Sequence, residues 1–100
     1  MPPAALRGVA LKSSANFLFN NESRLSFIEV KNLESVGKTK YRYQYMDRKD
    51  CLIFRYDNAY HHTEVQTFPH HKHIKAKVID SEEPELYDIL LEIQGILKPK

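Results

Sequence analysis

The chain has 100 residues, of which 42% are hydrophobic and 28% charged, and its formal net charge is +2 at pH 7 with neutral histidines. This length predicts one domain spanning residues 1–100, and the composition suffices for one hydrophobic core. The single cysteine excludes an intrachain disulfide, and no stretch approaches the roughly 20 apolar residues of a membrane span, so we expect a cytoplasmic protein without a membrane partner.

The N-terminal third of the chain predicts short strands separated by polar turns. Residues 1–6 contain two prolines and are expected to be a frayed end. Strand-like segments cover residues 7–12, 16–19 and 24–31. Ser13-Ser14 predicts a break between the first two segments, and the Asn- and Ser-rich residues 20–23 predict a turn before the third.

A β-hairpin is predicted over residues 40–57. Its first strand alternates, which directs one set of side chains to each face of the sheet: Tyr41, Tyr43 and Tyr45 on one face, and Lys40, Arg42 and Gln44 on the other. Residues 47–50 form a polar connection of suitable length. The returning strand then places Arg55 and Asp57 on a common face.

The C-terminal part predicts an irregular segment over residues 58–69, an extended segment over residues 70–78, and a helix. Residues 80–84 carry cap candidates, acids and a proline, which are typical of a helix start. Apolar residues then recur at helical spacing: Leu86, Ile89, Leu90, Ile93 and Leu97. We therefore predict an α+β fold, a curved antiparallel sheet of four to five strands with this helix packed on one face.

All five histidines lie within residues 61–73, which concentrates groups that titrate near neutral pH. Metal-independent cleavage of RNA needs a base for the 2′-OH proton, an acid for the leaving oxygen and a cation for the phosphoryl charge. The candidate catalytic residues are His71 and His73, supported by His61 or His62, with Arg55 to stabilise phosphate and Asp57 to orient a histidine. The candidate substrate-binding residues are Tyr43, Tyr45 and Lys72. These two tyrosines, together with Tyr41 and Tyr60, could stack on unpaired bases.

Two other interpretations of the same residues remain open. His71 and His73 would share a strand face and, with His61 or His62 and Asp57, offer ligands to zinc, as in a metal-dependent hydrolase. Their spacing matches no recognised zinc signature, so we predict no metal or other cofactor. A non-catalytic module that binds RNA or protein would use the same surface, and it would tolerate loss of the histidines. The tyrosines are also typical of packing beneath a helix.

A series of motifs runs along the chain: an S-R-L-x-F-x-E motif, a Y-x-Y-x-Y strand, an R-Y-D-N-A strand end, a histidine pair, a T-F-P-H-H-x-H block and an S-x-E-P helix start, at Ser23–Glu29, Tyr41–Tyr45, Arg55–Ala59, His61–His62, Thr67–His73 and Ser81–Pro84. Through these motifs, residues 16–97 resemble the TumE family of prokaryotic toxin–antitoxin toxins.

The chain departs from the family pattern at Tyr60, where proline is usual, and at Asn21-Glu22, where Asp-Gly is expected. The resemblance implies a toxin that arrests growth and is neutralised by a cognate antitoxin. Ribonuclease activity is the usual hypothesis for small toxins of this kind, so we expect the chain to act on RNA. A homodimer is compatible with this reading.

Overall fold

The computed structural model describes residues 8–98, so the predicted frayed end at residues 1–6 lies outside the described residues. The strands form one open antiparallel sheet in sequence order, followed by one helix. Their bounds are β1 Ala10–Leu18, β2 Arg24–Asn32, β3 Lys40–Met46, β4 Leu52–Asp57, β5 His71–Ile74, β6 Lys77–Asp80 and α1 Leu86–Leu97. The predicted α+β class is confirmed, whereas the predicted four to five strands are wrong because the sheet has six.

Both ends of the sheet differ from the prediction. β1 continues through the expected break, since Ser13 pairs with Glu29 and Ser14 with Ile28 in β2. An exposed edge strand buries little, so serine residues interrupt it less than they would interrupt a core strand. At the other end, a tight turn with Lys75 at φ 47° divides the predicted extended segment into β5 and β6, which supplies the sixth strand.

The predicted hairpin is formed by β3 and β4. The Asp47 side chain accepts hydrogen bonds from the backbone N–H groups of Lys49 and Cys51 at 2.8 and 3.0 Å, which closes the connection between the strands. Asp50 adopts a positive φ of 63° in the same turn. The resulting register places Arg42 opposite Asp57, so that side chains from both strands meet on one face of the sheet.

The helix covers the opposite face of the sheet and completes the core. The fully buried apolar cluster consists of Leu25, Tyr41, Tyr43, Tyr45, Phe54, Ile89 and Ile93. The predicted apolar stripe of the helix is therefore confirmed. Helix α1 begins later than expected, with Glu85 as its N-cap and a capping box to Asp88, because Asp80 still belongs to β6. Within residues 8–98, no helix is long and apolar enough to cross a membrane.

The buried tyrosine hydroxyls have hydrogen-bond partners. The Tyr43 hydroxyl donates to the Glu29 carboxylate, and the Tyr45 hydroxyl lies 2.7 Å from Ser23 Oγ. Burial, reinforced by the hydrogen bond to Glu29, raises the pKa of Tyr43 well above its usual value, so this hydroxyl stays neutral. Because each hydroxyl is satisfied, the rings can be buried without the cost of an unpaired polar group.

The face of the sheet that α1 does not cover, here called the open face, is basic. The strand register directs more cationic than anionic side chains to it: Lys12, Arg24, Lys40, Arg42 and Arg55, against Asp57 and Asp80. A surface with this balance attracts phosphate groups.

Candidate functional site

The pairing of β4 with β5 builds the centre of the site. Arg55 lies opposite His73, and Asp57 lies opposite His71. Paired residues of antiparallel strands direct their side chains to the same face, and residues two apart in a strand share that face. The register therefore brings four of the predicted catalytic residues together on the open face.

Asp57 is the buried centre of this group. Its Oδ1 accepts a hydrogen bond from the Ala59 backbone N–H at 3.0 Å and lies 2.9 Å from His71 Nε2. Its Oδ2 accepts a hydrogen bond from Arg55 Nε at 3.2 Å and lies 3.4 Å from His73 Nε2. The Asp57 carboxylate thus fixes the relative positions of the backbone at Ala59, the Arg55 guanidinium and the imidazole rings of the two histidines.

His71 is only 1% exposed, and neighbours engage both of its ring nitrogens. Nδ1 donates to the Pro69 carbonyl oxygen at 2.9 Å, and Nε2 lies 2.9 Å from Asp57 Oδ1. Both neighbouring atoms are acceptors, so the two hydrogen bonds form together when the ring is doubly protonated. In this arrangement neither nitrogen is free to reach a substrate.

His73 has a different environment. Arg55 Nη2 lies 3.2 Å from His73 Nε2, and because a guanidinium can only donate, Nε2 is the acceptor and Nδ1 carries the proton. Burial, followed by the positive charge of Arg55, lowers the pKa of His73 below its ordinary value of 6.5. His73 is therefore neutral at pH 7. The lone pair on its Nε2 accepts the hydrogen bond from Arg55, so Nε2 can take up a proton once Arg55 Nη2 has moved away.

A third histidine, His62, extends from the irregular segment before β5 and forms a group of three with His71 and His73, here called the histidine cluster. The His62 ring packs edge-on against the rings of His71 and His73, with centroid distances of 4.9 and 5.2 Å. Its Nδ1 lies 3.1 Å from Glu64 Oε1, which leaves Nε2 for another partner. His61 lines an open cavity beside the histidine cluster but does not belong to the cluster itself.

The structure places the predicted substrate-binding residues elsewhere. Tyr43 and Tyr45 are fully buried in the core, where no ring face is available to a base. Lys72 alternates with His71 and His73 along β5, so it projects toward the helix, where its Nζ lies 2.7 Å from Glu92 Oε2. The predicted role of these three residues in substrate binding is therefore wrong. Tyr43 and Tyr45 pack in the core, and Lys72 contacts the helix.

Two cations that were not among the predicted site residues, and a tyrosine that was considered for base stacking, complete the cavity. An open cavity of about 800 Å³ lies against the histidine cluster, and its lining includes Lys40, Arg42 and Tyr60. The alternation of β3 already directed the two cations away from the tyrosines. The alternation alone does not indicate which face the helix covers, so it could not show that these cations lie on the face with the histidines.

The histidine cluster also has features of a metal site. Ligand atoms of His62, His71 and His73 all lie within 4.8 Å of one another, and three imidazoles suit zinc or another first-row metal. The Arg55 guanidinium, however, contacts both His73 and Asp57, and a divalent cation would repel it. Hydrogen bonds also already engage Nε2 of His73 and both ring nitrogens of His71.

We expect purified protein to contain no stoichiometric zinc, because binding would have to displace Arg55 and break the hydrogen bonds of His71. Elemental analysis of the wild type and of His71→Ala measures this directly. His70→Ala is a control from the same segment, since His70 Nδ1 contacts the Tyr41 hydroxyl rather than the cluster. One ion per chain that is lost in His71→Ala but retained in His70→Ala would establish the metal-dependent alternative.

Comparison with known proteins identifies one family. The family described as Toxin TumE matches residues 4–97. This match spans the six strands, the helix and every residue of the histidine cluster. No curated protein and no solved structure matches the chain.

Proposed function

Because the chain belongs to the TumE family of toxins, we propose that it arrests growth by cleaving RNA on the open face of its sheet. The observation that carries this proposal is the convergence of His62, His73 and Arg55 beside one cavity on a basic surface. These groups meet the three requirements of metal-independent RNA cleavage, which are a base, an acid and a cation.

In the proposed reaction, Arg55 Nη2 leaves His73 Nε2 for a phosphoryl oxygen, and His73 Nε2 then accepts the proton of a ribose 2′-OH. The 2′ oxygen forms a bond to the adjacent phosphorus, and the bond between phosphorus and the 5′ oxygen breaks. Protonated His62 donates its Nε2 proton to that leaving oxygen, while Glu64 holds Nδ1. The products are a 2′,3′-cyclic phosphate and a 5′-hydroxyl, so the proton taken by one histidine is balanced by the proton given by the other.

The remaining groups would bind and position the substrate. Arg55 presents a planar set of donors that suits two phosphoryl oxygens, and the hydrogen bond from its Nε to Asp57 would keep it beside the base. Lys40 and Arg42 line the same cavity and would contact neighbouring phosphates. The proposed role of His71 is to position Asp57.

A partner is part of this proposal. Toxins of this kind imply a cognate antitoxin protein, which would prevent growth arrest when both are produced. Cleavage of cellular RNA would place the action in the cytoplasm. Colony formation on expression of the toxin, alone or with the protein encoded beside it, tests this relationship.

Purified protein is expected to cleave a single-stranded RNA in the presence of EDTA, because the proposed reaction uses no metal. An otherwise identical RNA with 2′-deoxyribose at the cleaved position should remain intact, since it lacks the attacking hydroxyl. Gel electrophoresis and mass spectrometry of the products measure both results. Cleavage that stops in EDTA would favour the metal-dependent alternative. RNA that is bound but never cleaved would favour the binding module.

A further inference from the structure

Two aromatic rings are exposed beside the histidine cluster. Tyr60 is 76% exposed and Phe68 is 40% exposed, and their ring centroids lie 5.5 Å apart with the ring planes tilted by 40°. The core aromatics, by contrast, are almost completely buried. Adjacent exposed aromatic rings of this kind are typical of a binding surface.

Hydrogen bonds fix the backbone on both sides of the aromatic pair, and those beside Tyr60 reach the site. The Ala59 N–H donates to Asp57 Oδ1 immediately before Tyr60, and the His61 N–H donates back to the Ala59 carbonyl at 2.9 Å. Phe68 is held through its own N–H, which donates to the carbonyl of buried Val65 at 3.3 Å. The position of Tyr60 is therefore coupled to Asp57, and Phe68 packs against Tyr60 from a separately held turn.

Tyr60 lines the same cavity as Arg42, Arg55 and His62. Cationic side chains that can bind phosphates and an aromatic ring that can stack on a base thus line the same cavity. Single-stranded nucleic acids are bound by this combination, since every base has a face that can stack on an aromatic ring. In an A-form duplex the bases stack on one another and offer no such face.

We propose that Tyr60, backed by Phe68, stacks on an unpaired base of an RNA strand whose phosphates lie in the cavity. This inference rests on the proposed function and deepens it by naming single-stranded RNA as the substrate. Stacking accepts any base, so the site selects unpaired nucleotides without reading their sequence. The tyrosines of β3 do not contribute, because they are buried on the other face of the sheet.

The test uses 2′-O-methyl oligonucleotides, which cannot be cleaved by attack of a 2′-OH, with binding measured by fluorescence anisotropy. Tyr60→Ala is expected to weaken binding of a single-stranded oligonucleotide by about 5- to 150-fold, and Tyr60→Trp should retain it. An oligonucleotide of abasic residues should bind the wild type and Tyr60→Ala equally, and a duplex should bind the wild type more weakly than the single strand. Tyr87→Ala is the matched control, because this tyrosine is 69% exposed on the helix.

The outcomes separate this inference from the proposed function. If the wild type cleaves RNA while Tyr60→Ala binds the intact oligonucleotide as tightly as the wild type, base stacking is overturned and RNA cleavage stands. Equal binding of the duplex and the single strand by the wild type would also overturn it. If the wild type binds none of the probes and cleaves no RNA, both proposals fail. Arg42→Ala should weaken binding of intact and abasic oligonucleotides alike, since its proposed contact is to phosphate.

Discussion

Replacing His73 with glutamine is expected to lower RNA cleavage by about 10²–10⁴-fold and to abolish growth arrest, because a positioned base contributes a factor of that order. Glutamine preserves hydrogen bonding and approximate size but cannot accept a proton near pH 7. Cleavage rates and colony formation on induction measure the effect. Circular dichroism and thermal melting of the same variant establish that the fold survives.

The pH dependence of cleavage gives an independent test of the same residue. A general base works only when unprotonated, so activity is lost as the pH falls through the pKa of His73. That pKa is lowered below 6.5 by burial and by the charge of Arg55. The cleavage rate should therefore increase with pH below 6.5, and this increase should be complete by pH 7. The residual activity of His73→Gln should lack the rise altogether.

Variants of the neighbouring residues distinguish proton transfer from positioning. Arg55→Lys is expected to fail as well, because lysine cannot present two coplanar donors. His71→Gln should lower the rate while preserving the rise in activity below pH 6.5, since His71 acts through Asp57. Lys49→Ala, in the exposed β3–β4 turn, should leave toxicity unchanged. A folded His73→Gln protein that still arrests growth would refute acid–base catalysis by this residue.

Truncating the buried side of the helix should have the largest effect on stability. Ile89→Ala or Ile93→Ala is expected to lower the free energy of unfolding by about 2–5 kcal/mol, because each removes buried methyl and methylene groups and leaves a cavity. Both side chains are buried against the tyrosines and Phe54. Chemical denaturation followed by circular dichroism measures the change.

Ile96→Ala is the matched control for this prediction. It makes the same chemical change in the same helix, but Ile96 is 48% exposed. Its loss should be below about 1 kcal/mol, since little apolar surface returns to water. If Ile93→Ala costs no more than Ile96→Ala, the helix does not cover the sheet as described.

Regular periodicity made the centre of the fold predictable from the sequence. The alternation of β3, the polar turn at residues 47–50 and the helical spacing of Ile89 and Ile93 each predict one element, and the structure contains all three. The pairing of Arg55 and Asp57 with His73 and His71 then follows from period-two alternation once β5 lies beside β4.

Other features depend on tertiary context that local patterns do not contain. Ser13 and Ser14 lie in an edge strand because β2 provides their hydrogen-bond partners. The β5–β6 turn places Lys75, rather than glycine or asparagine, at positive φ, so it carries no common turn signal. Alternation separates Tyr43 from Arg42, but only the position of the helix determines which of them meets solvent. The approach of His62 depends on an irregular segment without periodicity.

The sheet separates the residues that hold the protein together from those assigned to its activity, because the helix covers one face only. Under the proposed function, substitutions that rescue cells from the toxin should therefore divide into two genetic classes. Changes beneath the helix would act through the amount of folded protein and would rescue growth better at high temperature than at low. Changes on the open face would rescue growth at every temperature and leave the protein abundant.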